Sequence, residues 1–243
     1  MSQNQGPQAE KIRSMFGEIA GGYDLANTVM SAGIHHLWRK SVVKWSGTKP
    51  GNRVLDCATG TGDLAIEFKK SVGSSGTVIG TDFCVEMLEP APAKARKQGL
   101  EIEFKPADVT ALPFADREFD VSSISFGIRN VQNPIQALRE LARVVRPGGY
   151  VMVLEFGQPA APGIQQLYRF YSRHVLPKLG GLITGRRKAY EYLQDSSAEF
   201  PCGDAFLNMM RETGCYDQLD YRSLSLGIAY IYKARVRIAE SRG

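Results

Sequence analysis

From Arg53 onward the chain alternates short apolar runs with helical stretches, and turn formers separate the two. RVLDC (53–57), TVIGTD (77–82), IEFKPAD (102–108), FDVSSISF (119–126) and YVMVLEF (150–156) read as strands. Helical patterns run from about Asp63 to Lys70, through Met87 and Leu88 to Gln98, and over 134–145. Turns are expected at Gly73–Gly76 and at Pro147-Gly148-Gly149. Residues 1–8 read as a loose tail, 9–46 as helix with a break at Gly21-Gly22, and 204–214 as a further helix. Residues 217–234 read as a two-stranded hairpin at a sheet edge. Strands alternating with helices build βαβ units with right-handed crossovers. The expected fold is therefore α/β: a Rossmann-like, doubly wound, mostly parallel sheet over 47–243. It carries a helical segment or lid over 1–46 and a helical insertion at about 157–200.

Composition narrows the function without choosing it. With 243 residues, 43% hydrophobic and 23% charged, the chain is an ordinary globular one, long enough for a core without staples. No apolar run approaches the ~20 residues of a membrane helix. The start, MSQNQGPQAEKIRSMF, has no apolar signal region, so the expected location is cytoplasmic. A net charge of +5 is too mild to imply nucleic acid. Cys57, Cys84, Cys202 and Cys215 form no CxxC pair, which points to free thiols. His35 and His36 are neighbours whose side chains should diverge, so no metal is expected. The distribution of charge says more. From Ile164 to Tyr190 there is no Asp or Glu, while Arg169, Arg173, Lys178, Arg186, Arg187 and Lys188 stand among aromatic and aliphatic residues.

Candidate chemistry starts at the first strand end, Asp56-Cys57-Ala58-Thr59-Gly60-Thr61-Gly62. Ligands bind at the carboxyl ends of such strands, and Gly60 and Gly62 let the backbone approach one closely. Gly60-x-Gly62-x-x-Ala65 satisfies a relaxed dinucleotide fingerprint, with Asp82 at the right distance. Asp56 argues against that reading, because a carboxylate inside the loop repels a pyrophosphate and attracts an ammonium or sulfonium. S-adenosylmethionine carries both cations and no phosphate. Asp82, at the second strand tip, can accept from both ribose hydroxyls, and Asp108, at the third, from the adenine amino group. Phe83 and Met87 can pack on the adenine face.

Longer segments resemble the UbiE/MenG-type quinone C-methyltransferases, within the class I S-adenosylmethionine-dependent methyltransferases. The similarity runs from about Phe16 to Lys233. It rests on YDLANTVMS (23–31) continuing to His35 and Trp38, on RVLDCATGTGDLA, on ADVTALPFADREFD with SISFGIRNV, on RVVRPGGYVMVLEFG, on YEYLQDSSAEFP and on LSLGIAYIY. Ala26, Arg146, Gly157 and Tyr232 depart from the family pattern. The resemblance implies cofactor contacts at Thr61, Asp82, Asp108, Val109 and Ser125. It also implies methylation of a ring carbon of a reduced polyprenyl quinone, naphthoquinol or benzoquinol.

A neutral hydroquinone carbon is a weak nucleophile, and removing a phenolic proton strengthens it. Arg129 can hold the phenolate or poise a water, Asn130 can orient the same group, and Tyr23 can close over the site. The acid-free stretch 164–190 suits contact with a bilayer that holds the polyprenyl tail. A homo-oligomer stays open. Two other readings stay open: a methyltransferase for another phenol, sterol or polyketide, and a non-catalytic subunit of a quinone-synthesis complex.

Overall fold

The computed structural model describes residues 7–159 and 161–238. Of the expected tail, residues 1–6 lie outside the described residues, whereas Pro7 already opens helix α1 (Pro7–Ile19). A 3-10 turn, Ala20–Gly22, stands at the predicted break and leads into α2 (Tyr23–Met30). A second break separates α2 from α3 (Ile34–Ser46). There the left-handed Ala32 (φ 47°) closes α2, with its N–H on the Val29 carbonyl and that of Gly33 on the Thr28 carbonyl, and the left-handed Gly33 (φ 76°) starts α3.

The alternating region follows as β1 (Arg53–Cys57), α4 (Asp63–Val72), β2 (Thr77–Asp82), α5 (Val85–Leu88) and α6 (Ala91–Arg96). The sequence suggests one helix where α5 and α6 lie. Pro90 and Pro92 lack the N–H groups a continuous helix needs, so the helix divides. Then come β3 (Glu103–Pro106), β4 (Phe119–Ser125), α7 (Pro134–Arg143) and β5 (Val145–Phe156). Asn133 caps α7 by accepting from Gln136 N at 3.0 Å. The Pro147-Gly148-Gly149 turn is a kink inside β5: Gly148 takes φ 78°, and the β4–β5 register shifts between Phe119 and Val121. The insertion folds as α8 (Pro162–Phe170), a π turn (Tyr171–Val175), α9 (Leu176–Thr184) and α10 (Arg187–Glu199). The chain closes with α11 (Asp204–Glu212), β6 (Tyr216–Leu224) and β7 (Ala229–Val236).

The strand order is β3-β2-β1-β4-β5-β7-β6. β1 to β5 pair in parallel, and β7 pairs antiparallel with both β5 and β6, as the hairpin pattern predicts. Successive strand residues face opposite sides, so two cores form. Leu55, Ile124, Leu138 and Phe206 centre one, and Val54, Phe68, Val121 and Trp38 the other. Burying one such large side chain stabilises the fold by about 1.5–3 kcal/mol. A third, smaller cluster joins Ile19 and Ala26 to Ala189 and Tyr190, and so packs the N-terminal helices against the insertion. Tyr171 reinforces it by donating its hydroxyl to the Met30 carbonyl at 2.6 Å. All four cysteines are free. No helix among the described residues is long and apolar enough to cross a membrane.

Candidate active site

Two adjoining cavities open at the carboxyl ends of the parallel strands, where the helix-strand crossovers leave the backbone free to turn. The narrower, about 110 Å³, runs past the ends of β1, β2 and β4. Its walls include Gly60, Asp82, Phe83, Met87, Val109 and Ser125. Ala58 (φ 49°) and Phe126 (φ 54°) also line it, two non-glycine residues in left-handed backbone, a strain that clusters at functional sites. Gly127 permits this arrangement, since a Cβ there would collide with Cβ of Ala58.

Asp82 receives the Gly60 N–H on Oδ2 at 2.8 Å and the Cys84 N–H on Oδ1 at 2.9 Å. Burial nevertheless pushes its pKa up to about 6. Asp108 lies behind the cleft wall formed by Ala107 and Val109. Its Oδ1 accepts from the N–H and hydroxyl of Thr110, both at 2.8 Å. Asp108 Oδ2 and Ser125 Oγ are buried with no partner among the described residues. Orphaned groups of this kind cost free energy unless something supplies the missing bond.

Besides Asp108, three expected cofactor residues stand outside the cleft lining. Asp56 is fully buried beneath the loop, where Thr59 and Ser123 donate hydroxyls to its two oxygens, each at 2.6 Å. Its charge is spent on holding the loop, and burial raises its pKa to about 6. Thr61 points toward the N-terminal helices and donates to Asp24 Oδ1 at 2.6 Å. Gly62 turns its bare Cα toward Phe104 and Ala91, so it allows close packing behind the loop.

The second cavity is larger, about 520 Å³, and mostly apolar. α1–α3 wall one side of it and α8–α10 the other. Phe16, Tyr23 and Phe126 line both cavities, so they form the shared wall. Burial raises the Tyr23 phenol pKa, against an Asn27 hydrogen bond and the charges of Arg39 and Arg129. Asn130 lines the narrow cleft and accepts the Tyr192 hydroxyl at 3.1 Å.

Arg129 faces the large cavity, but it is not the free cation expected from the sequence. Its Nη1 pairs with Glu155 at 2.8 Å, with both side chains only 2% exposed, and also donates to the Phe126 carbonyl at 2.6 Å. The guanidinium lies over the Phe156 ring, 5.3 Å from its centroid. Among the described residues Nη2 has no partner, so its two N–H donors remain unused on a residue that lines the cavity. The Arg129 partner, Glu155, was not expected from the sequence, where the one signal is a lone acid in the apolar run YVMVLEF. Burial raises its pKa, opposed by Arg129.

His35 and His36 do not diverge. Their ring centroids are 3.9 Å apart, and their nitrogens approach the Asp63 carboxylate within 4.8 Å. Burial and the neighbouring Arg39 lower the His35 pKa to about 4, so that ring is neutral at physiological pH. Asp63 already serves Arg39, at 2.9 Å, and Lys94. Lys94 also reaches Asp24 at 2.6 Å and Thr61 Oγ1 at 3.1 Å. This network ties α2 and α3 to the glycine loop through α6, and no local motif announces it. In the insertion, Arg186 pairs with Glu18 at 3.2 Å and Arg187 with Glu191 at 2.8 Å, so two of the six cations are already matched.

A model of the ubiE/COQ5 methyltransferase family matches residues 4–235. The ubiquinone/menaquinone biosynthesis C-methyltransferase UbiE of Bdellovibrio bacteriovorus is 62% identical over 234 residues, which is 96% of this chain and 99% of that protein. The protein of the same name from Roseobacter denitrificans is 41% identical, over 94% of this chain and 91% of its own. Among solved structures, an S-adenosylmethionine-dependent methyltransferase of Thermotoga maritima, a possible histamine N-methyltransferase, superposes with a TM-score of 0.65. It is 19% identical and covers 92% of this chain and 99% of its own, a likeness of fold alone.

Proposed function

The chain belongs to the ubiE/COQ5 methyltransferase family and is a C-methyltransferase of ubiquinone/menaquinone biosynthesis; from that premise we propose that the narrow cleft holds S-adenosylmethionine and the larger cavity a quinol ring. The observation that carries this is the pair of orphaned buried oxygens, Ser125 Oγ on the cleft wall and Asp108 Oδ2 next to the wall residues Ala107 and Val109, where the cleft meets an apolar cavity across Tyr23. The donor set fits such a cofactor. Asp82 keeps lone pairs for a ribose diol beside its two backbone donors, Asp108 Oδ2 suits an exocyclic amine, and Phe83 and Met87 offer flat apolar contact. When bound, S-adenosylmethionine supplies a methyl group activated on a sulfonium.

The chain's own residues do the rest. Apolar walls around Phe16, Phe126 and Tyr168 exclude water and hold a ring in place, and positioning supplies much of the rate of such a transfer. Arg129 Nη2 offers one charge-assisted donor for a phenolate oxygen. Glu155 fixes the guanidinium and balances its charge in a dry site. Tyr23 and Asn130 stand where a ring hydroxyl or a water between the two cavities would meet them. The N-terminal helices act as a lid, held by Asp24, Thr61 and Lys94.

The test is incubation with methyl-labelled S-adenosylmethionine and a short-tailed demethylated quinol. Label should appear on a ring carbon only when both are present. Calorimetric binding of NAD without response to S-adenosylmethionine would overturn the cofactor reading.

A further inference from the structure

Two of the four unmatched cations of the insertion share one groove. Arg169 on α8 and Arg173 in the π turn both line a third cavity, about 370 Å³, between this segment and α10. Its remaining polar walls are Gln158, Ser172, Gln194 and Ser197, and no carboxylate lines it. Among the described residues neither guanidinium has an acidic partner, in contrast to Arg186 and Arg187. The groove shares Phe156, Tyr168, Leu176 and Leu193 with the large apolar cavity, so the two lie side by side. Leu167 and Phe170, on the same helix as Arg169, are 70% and 60% exposed, and Leu182 on α9 is 85% exposed.

Ser172 and Ser197 already donate their hydroxyls to the Arg169 and Leu193 carbonyls, at 3.2 and 2.6 Å, and Gln158 donates to the Ser197 carbonyl at 3.3 Å. Two guanidinium forks beside the Gln194 amide, with no acid among the lining residues, recognise a phosphate. Exposed aliphatic and aromatic side chains beside them suit a phosphate joined to hydrocarbon. We propose that this groove binds the phosphate of an anionic phospholipid, and so seats the α8–α9 face on the bilayer next to the quinol cavity. The proposal rests on the functional reading for its purpose, since a polyprenyl substrate must be drawn from a membrane.

Flotation of the full chain with vesicles tests it, using phosphatidylcholine alone or mixed with phosphatidylglycerol. The parent should bind the mixed vesicles and not the neutral ones. Arg169→Gln with Arg173→Gln should weaken binding roughly five-fold per charge, about thirty-fold together. Removing the same charge at the end of α6, by Arg96→Gln with Lys97→Gln, should change it by only about two-fold. Phe170→Ser keeps every cation and should weaken binding roughly five-fold through lost apolar contact. Thermal unfolding of each variant confirms that it is folded. Unchanged binding by the double arginine variant would overturn the proposal. So would equal binding to neutral vesicles, or calorimetric binding of inorganic phosphate by a protein that ignores vesicles, which would make the groove a soluble-phosphate site. Methyl transfer by the parent to a short-tailed quinol is measured alongside. Its absence would strike the functional reading and leave the vesicle result standing.

Discussion

Removing either member of the Arg129–Glu155 pair should be costly, but not equally so. Each side chain is 2% exposed, and Glu155 also accepts the Phe156 N–H at 2.8 Å. Breaking a buried pair by deleting one partner typically costs ~3–5 kcal/mol, because the other charge stays buried. Glu155→Ala leaves a guanidinium that cannot lose its proton, so the full loss should appear at every working pH. For a chain of this size, that corresponds to a fall in Tm of roughly 6–20 °C, at about 2–4 °C per kcal/mol. Arg129→Ala leaves a carboxyl whose pKa burial already raises, and losing Arg129 raises it further. The native variant then binds a proton that the unfolded chain releases. Its stability falls as pH rises from the ordinary carboxylate range toward that raised pKa, and its deficit shrinks as pH falls. Urea unfolding of both variants and the parent at several pH values reads this directly. Equal losses with no pH trend, or losses below about 1 kcal/mol, would refute the claim that the pair is buried and charged. Replacing both residues by leucine should recover most of the stability and none of the methyl transfer, which separates the structural role from the proposed donor role.

Three further outcomes follow from the cleft. Asp82, with its pKa pushed up to about 6, should bind S-adenosylmethionine best when ionised, so calorimetric affinity should be flat above pH 7 and fall about ten-fold per unit well below 6; Asp82→Asn should bind weakly at all pH values. Asp24→Asn loosens a partly exposed network and should speed cofactor release about two- to five-fold in stopped-flow measurements, in keeping with ~0.5–1 kcal/mol for such pairs. Gly127→Ala forces a Cβ onto Ala58 and should cost about 1–3 kcal/mol of unfolding free energy, with a larger loss of cofactor affinity.

Where a signal is local, sequence and structure agree closely. RVLDC and TVIGTD are strands with the bounds their apolar runs suggest, because parallel strands buried on both faces need continuous apolar residues. Departures arise where meaning depends on context. Gly33 looks like one glycine within a long helical pattern, yet it caps the start of a separate helix, α3; Pro147-Gly148-Gly149 looks like a turn, yet it is a kink inside β5. The site follows the same rule. Asp82, Phe83 and Ser125 line the cleft as their strand-tip positions imply. Asp56 and Arg129 stand in the expected segments, but beside the nearby Thr59 their charges are engaged by Ser123 and Glu155, partners 67 and 26 residues away. No window along the chain can show such pairings.

The antiparallel return of β7 between β5 and β6 also sets the order of events on the ribosome. β5 ends at Phe156, and the strand that covers its open side begins at Ala229. The 72 residues between them, 157–228, must be synthesised first, which at roughly 5–20 residues per second takes several seconds. Through that interval a twelve-residue, largely apolar strand presents unpaired amides and carbonyls to any neighbouring nascent chain. A ribosome stalled before Ala229 would hold a product with nearly all of its sheet made and its most adhesive edge uncovered, a natural client for a chaperone.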